Sequence, residues 1–270
     1  MDLQRIESQR DLVYRRTRTR RIRTLEQAAR FIDTVGFCLL FASKQGIELP
    51  SLFEAMKGRR DARIDDWDAD ADRLWVWKND LPAIKRAYYG KAIKGKPIFI
   101  SLRLLPFWMA VAMPADVNQA YARGQLSMTA KRVYDALRER GPTPTMALRI
   151  AAGLERRESV ERYHRALDEL QHTLLILPVG ATVERGAWPS QIFELTTRWF
   201  PRQAARAATL DLTQARRALV RRYIETVIAA TPAMIARLFD WSPEIIDATL
   251  RDLIERRHII RQGEWILRNG

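Results

Sequence analysis

Apolar positions recur three and four residues apart over most of this chain, most clearly between Leu219 and Leu267. Leu219, Tyr223 and Val227 fall on one face of a first helix, the spacing of a buried stripe. Thr231-Pro232 restarts the chain. Threonine caps a helix, and proline fits its first position because the N–H it lacks has no helical partner there. The pattern predicts a short second helix over residues 233–239. Ser242-Pro243 repeats the device and opens a third helix lined by Ile246, Leu250 and Leu253. Two apolar half-strands, His258-Ile259-Ile260 and Trp265-Ile266-Leu267, then flank Gln262-Gly263, which is the pattern of a β-hairpin.

Helix, short helix, helix and hairpin is the order of a winged helix-turn-helix, in which the third helix and the wing usually face DNA. From Ser127 the chain repeats this plan. Val133 and Leu137 line a helix over residues 128–140, Gly141-Pro142 stops it, and Thr143-Pro144 matches Thr231-Pro232 as a second helix start. Val160, Tyr163, Leu167 and Leu170 line a third helix, and Leu174-Leu175-Ile176 parallels His258-Ile259-Ile260. The middle wing is longer, running out through Gly180, Gly186 and Trp188 and back through Ile192-Phe193-Glu194-Leu195. The expected fold class is mainly α with small β-hairpin wings, an α+β chain of tandem winged helix-turn-helix units.

The first third is less regular. Leu3, Ile6, Leu12 and Val13 mark one weak helical face. Thr24 and Gln27 have capping-box spacing and open a helix that buries Leu25, Ala28, Phe31 and Ile32 and ends at Gly36. Phe37 to Phe41 is a short buried strand or turn, and Leu49-Pro50-Ser51 opens another helix through Lys57. Residues 58–73 read as a mixed-charge loop. Its aspartates 65, 66, 68, 70 and 72 lack the turn glycine and closing glutamate of a calcium loop, so they read as solvated. Leu74-Trp75-Val76-Trp77 is expected in the core. The run from Tyr88 to Pro97 reads as a helix end and surface turn, or else as an aromatic and lysine clamp for nucleic acid. Ile98-Phe99-Ile100 is a strand, and residues 102–113 form an apolar helix kinked or started by Pro106.

Charge changes the picture. The 270 residues carry 46 Lys and Arg against 32 Asp and Glu, a formal net charge of +14. That sign implies a polyanionic partner, nucleic acid before an anionic membrane. Arg15, Arg16, Arg18, Arg20, Arg21 and Arg23 form a basic arm suited to phosphates or a narrow minor groove. Lys91, Lys94 and Lys96 are the other candidate DNA contacts. One cysteine, Cys38, excludes an intrachain disulfide, and with three scattered histidines there is no zinc-type ligand set. No signal peptide or bilayer-length apolar run is seen, so a cytoplasmic protein is expected, with no metal and no membrane.

At Arg221-Arg222-Tyr223, at Ala236-Arg237-Leu238-Phe239-Asp240-Trp241-Ser242-Pro243 and at Gly263-Glu264-Trp265 the chain resembles the winged-helix DNA glycosylases that unhook interstrand crosslinks and remove bulky alkylated bases. The resemblance implies three tandem winged-helix units around a DNA-binding concavity. The layout expected from it is a basic arm over residues 1–24, a degenerate first unit over 25–125, a second over 126–209 and a third over 210–270. It also implies a motif after the first helix, Gly-x-x-Gln-x-Gln or Gly-x-x-Gln-x-Asp, whose polar side chains place the attacking water. With Gly36 on that glycine, the two functional positions hold Leu39 and Phe41. Neither side chain orients water or offsets charge on an oxocarbenium-like sugar. Asp33 and Glu48 are the weak substitutes nearby.

The expected function is a DNA-binding protein on a repair-glycosylase scaffold, held by phosphate contacts to duplex or damaged DNA, without that glycosylase chemistry. No cofactor is expected, and a monomer is favoured. An active alkyl-base glycosylase using other residues and a winged-helix transcription regulator are the alternatives.

Overall fold

A computed structural model of the chain describes residues 2–43, 46–62, 68–182 and 189–269. Asp65, Asp66, Gly186 and Trp188, named above for the acidic loop and the middle wing, lie outside the described residues.

One plan occurs three times. In the first copy, helix α1 (Leu3–Val13) precedes α2 (Leu25–Val35), β1 (Phe37–Leu39), α3 (Leu52–Lys57), α4 (Ala69–Ala83), β2 (Ala87–Ile93) and β3 (Lys96–Ser101). Two connecting helices follow, α5 (Leu105–Ala112) and α6 (Val117–Ala122). The second copy is α7 (Met128–Arg140), β4 (Thr143–Pro144), α8 (Thr145–Ala151), α9 (Val160–His172), β5 (Ile176–Ala181) and β6 (Gln191–Leu195). After α10 (Thr196–Trp199) and α11 (Pro201–Ala208) comes the third copy: α12 (Leu212–Val227), β7 (Ala229–Ala230), α13 (Pro232–Phe239), α14 (Pro243–Glu255), β8 (Ile259–Gln262) and β9 (Trp265–Arg268). Each copy closes an antiparallel three-stranded sheet in the same order, with the returning hairpin strand in the middle: β1-β3-β2, β4-β6-β5 and β7-β9-β8.

The local signals act as residue chemistry dictates. The Thr24, Ser51, Ser127 and Thr231 hydroxyls accept the backbone N–H groups of Gln27, Glu54, Ala130 and Met234, each three residues on. Proline starts α5, α13 and α14. The repeat extends to backbone torsions. Two residues before β2, β5 and β8 stand Lys85, Leu174 and Arg257, with φ of 56°, 56° and 57°. Each closes the preceding helix in the same left-handed turn.

Several sequence expectations shift. Thr143-Pro144 is strand β4, paired with Phe193 and Ile192, so its counterpart is Ala229-Ala230 rather than Thr231-Pro232. The left-handed residues align Leu174 with Arg257, one position away from the register read from hydrophobicity. The segment after Lys57 ends at Asp68, whose carboxylate caps α4, with Asp70 and Asp72 in its first turn. They complement the helix dipole there rather than sitting in a loop. Within α4, Leu74 and Trp77 are buried, whereas Trp75 and Val76 are exposed. A helix shows only one face inward. Tyr88 to Pro97 is not a helix end but the first wing, turning at Lys94 and Gly95, both at positive φ. Tyr88 and Tyr89 are buried in it, which removes them as stacking platforms.

The cores do not respect the three copies. Two are local, one on α2, α3 and α4, another on α7, α8 and α9. The largest joins β1 and β3 to α5, α12, α13, α14 and β9, with Phe37, Trp108, Tyr223 and Phe239 at its centre. Phe239 touches the rings of the other three within 6.4 Å. The first sheet and the last copy therefore share one interior. Among the described residues no helix is long and apolar enough to cross a membrane.

Candidate nucleic-acid interface

The positions matched to the water-placing pair lie on and just after β1. Leu39 is buried, pairs with Ile98 and packs in the shared core. Phe41 is half-buried edge-on against Phe53. Gly36, just before the strand, has φ of +84°, and a Cβ there would lie 2.5 Å from Leu104 Cδ1 and 2.7 Å from Arg222 Cγ. The close approach of α12 is thus why this position is glycine. The end of α2 is capped from outside: Arg103 donates to Asp33 O at 2.9 Å, Arg222 to Thr34 O at 3.4 Å and Thr226 to Val35 O at 2.8 Å. Two guanidiniums at a helix C-terminus also offset its dipole.

The nearby carboxylates differ. Asp33 is half-exposed and contributes its carbonyl to that cap. Glu48 is held by two residues of the N-terminal segment. Tyr14 Oη donates to Glu48 Oε1 at 2.9 Å, and Arg10 Nη1 lies 3.4 Å from Oε2. Burial first, then the Glu48 charge, pushes the Tyr14 phenol well above its usual range, so it remains a donor. The Glu48 side chain keeps 27% exposure. This is an oriented, solvent-touching carboxylate, the arrangement a water-positioning base needs. It also tethers α1.

The expected basic residues separate into groups. Arg16 turns inward, bonding Glu54 Oε2 through Nε at 3.0 Å and Nη2 at 2.8 Å and stacking on Tyr14. Arg15 lies 5.8 Å from the Phe31 ring centroid. Burial, then the neighbouring Arg20 and Arg30 charges, lowers its pKa. Like charges gathered in this way are relieved by an anion. Arg18, Arg20 and Arg23 are exposed and Arg21 half-buried. On the first wing, Lys91 Nζ bonds Asp168 of α9 at 2.5 Å, beside a cleft of about 300 Å³ walled by Tyr89, Gln171 and Gln191. Lys94 lies 3.8 Å from Asp240, and Lys96 is half-buried. The structure therefore does not collect the arginines and lysines on one element.

A second basic site was not picked out from the sequence. Gln214, Arg217, Arg221 and Glu225 of α12, with Phe107 of α5 and His258 before β8, line a basin of about 350 Å³. Its sequence signal is the i, i+3, i+7 spacing of Gln214, Arg217 and Arg221 opposite the buried Leu219 and Tyr223. Arg217 pairs with Asp252, which also binds Arg256 Nε at 2.5 Å. Arg256, then Arg217, holds that carboxyl below its usual range. Arg221 Nε bonds Glu225 at 2.9 Å, and Arg206 stands 5.2 Å over Phe107. By contrast α14, the recognition-helix position of the last copy, exposes Glu244, Asp247 and Glu255 beside Arg251. That mixture suits packing and solvent better than groove reading.

Comparison with known proteins adds three findings. The model of the AlkZ-related family matches residues 22–240. Among solved structures, Streptomyces sahachiroi DNA glycosylase AlkZ is similar at TM-score 0.55 and 12% identity, covering 96% of this chain and 69% of that one. No match was found among curated proteins.

Proposed function

The chain belongs to the AlkZ-related family, and from that premise we propose a DNA-binding, repair-glycosylase-like protein that grips duplex or damaged DNA chiefly through its phosphates. It works without the polar pair of the related glycosylases. The observation that carries this reading is the surplus of arginine on the face of α12 and around Arg15, set on a glycosylase-like fold that holds Leu39 at the end of β1 and Phe41 just after it. A salt titration of duplex binding tests it. Log affinity should fall steeply and linearly with log salt, about 0.9 per phosphate neutralised. A flat response from low to moderate salt contradicts it.

Glu48 favours a second reading, base release by a different residue, since it is a carboxylate near β1 fixed by two partners with an open edge. Single-turnover release of base from N7-alkylguanine DNA, present in the wild type and lost in Glu48→Gln with duplex binding intact, would establish it. Release no faster than the enzyme-free background ends it.

A further inference from the structure

We infer that the basin between α12 and α5 is a seat for a phosphoryl group, taken by the forks of Arg217 and Arg221 with the sugar against Phe107. This rests on the reading that the partner is DNA, and it names where the backbone docks. Three observations carry it. First, Arg217 and Arg221 stand one helical turn apart on a single face, within reach of two oxygens of one phosphate. Second, each side chain is already oriented by a carboxylate that leaves donors over: Glu225 takes only Nε of Arg221, and Asp252 is reached through Nη1 of Arg217. A guanidinium has five N–H donors, so a pre-aimed fork remains, and little rotamer freedom is left to lose on binding. Third, the charge does not balance. Arg206, Arg217, Arg221 and Arg222 face Glu225 and an Asp252 shared with Arg256.

The seat lies beside β1, because Arg222, the next residue on α12, lays its stem across Gly36. Occupying it would bring the backbone next to the strand on which the related glycosylases are expected to place their polar pair.

The test uses the full chain, a fluorescent blunt duplex without terminal phosphates, and salt steps. Arg217→Gln with Arg221→Gln, which empties the one-phosphate seat, should lower the salt slope by about 0.9, and Arg221→Gln alone by a measurable part of that. Arg221→Lys should restore the slope but not the full affinity, since the charge returns without the fork. Unchanged slopes in Arg221→Gln, shown folded by its melting curve, would overturn the seat. Should the double variant fail to fold, Arg221→Gln and Arg221→Lys decide the matter. If the slope responds only on a 5′-phosphorylated duplex, the seat stands and its occupant is a strand end. Should the wild type bind no duplex, the DNA reading falls, and inorganic pyrophosphate is titrated instead. Saturable binding weakened by Arg221→Gln keeps the seat, and its absence removes it.

Discussion

At Gly36 two costs of adding a side chain coincide, a positive φ and a collision. Gly124 has φ of +71° with nothing within 4 Å of an added Cβ, so it bears the first cost alone. Gly124→Ala should therefore lose about 1 kcal/mol and Gly36→Ala about 3 kcal/mol, read by urea denaturation. Equal losses would mean that α12 yields easily. Lys78 offers a pH test. It is buried, with no carboxylate partner among the described residues, over the Trp75 ring at 4.1 Å, and burial lowers its pKa to about 8. Its folded pKa lies below its unfolded one, so the unfolded chain binds more protons and stability rises as pH climbs from about 8 toward 10.5. Lys78→Met should stabilise the protein at pH 7 by about 1–2 kcal/mol, an advantage that shrinks by pH 10. Constant ΔΔG across that range would contradict the burial argument.

Among elements, the three left-handed helix ends are the sharpest repeat, and none is glycine. Lys85 and Arg257 are both exposed, and Lys85 also stands over the Trp199 ring, so Arg257→Gly is the cleaner test and should gain about 0.5–1 kcal/mol in chemical denaturation by removing Cβ strain. A loss would show that the arginine side chain is worth more than the strain. Elements with their own punctuation were legible in the sequence: the threonine and serine caps, the proline starts, and the stripe Leu219-Tyr223-Val227. Elements set by distant partners were not. Thr143-Pro144 looks like Thr231-Pro232 until strand β6 pairs with it. Tyr88 and Tyr89 look available until the first wing buries them. Trp75 and Trp77 differ only in which face of α4 meets the core. The arginine basin is not legible as a unit in the sequence because its walls, α5, α12 and His258, come from three separated stretches of chain.

For the whole molecule, the decisive contact joins its two ends. Arg10 of α1 is buried and donates Nε to Val227 O at 2.9 Å and Nη2 to Ala229 O at 3.0 Å, around the strained Ile228 at φ of 69°. Removing residues 1–24 would strip those carbonyls, free Glu48 and uncover Glu54, which is 2% exposed beside Arg16. The truncated chain should melt lower as one transition, with α12 and β7 losing amide-exchange protection together with β1. Protection lost only near the cut would show that the ends are independent.

The interior that joins β1 to α12 and β9 also has a consequence in time. During synthesis, the strand following Gly36 leaves the ribosome long before Tyr223, Phe239 and Ile266 exist to cover it. The nascent protein must carry Phe37 and Leu39 without their final neighbours until translation has passed Ile266. Chaperone engagement should accordingly persist until Ile266 has emerged, however early the middle copy folds.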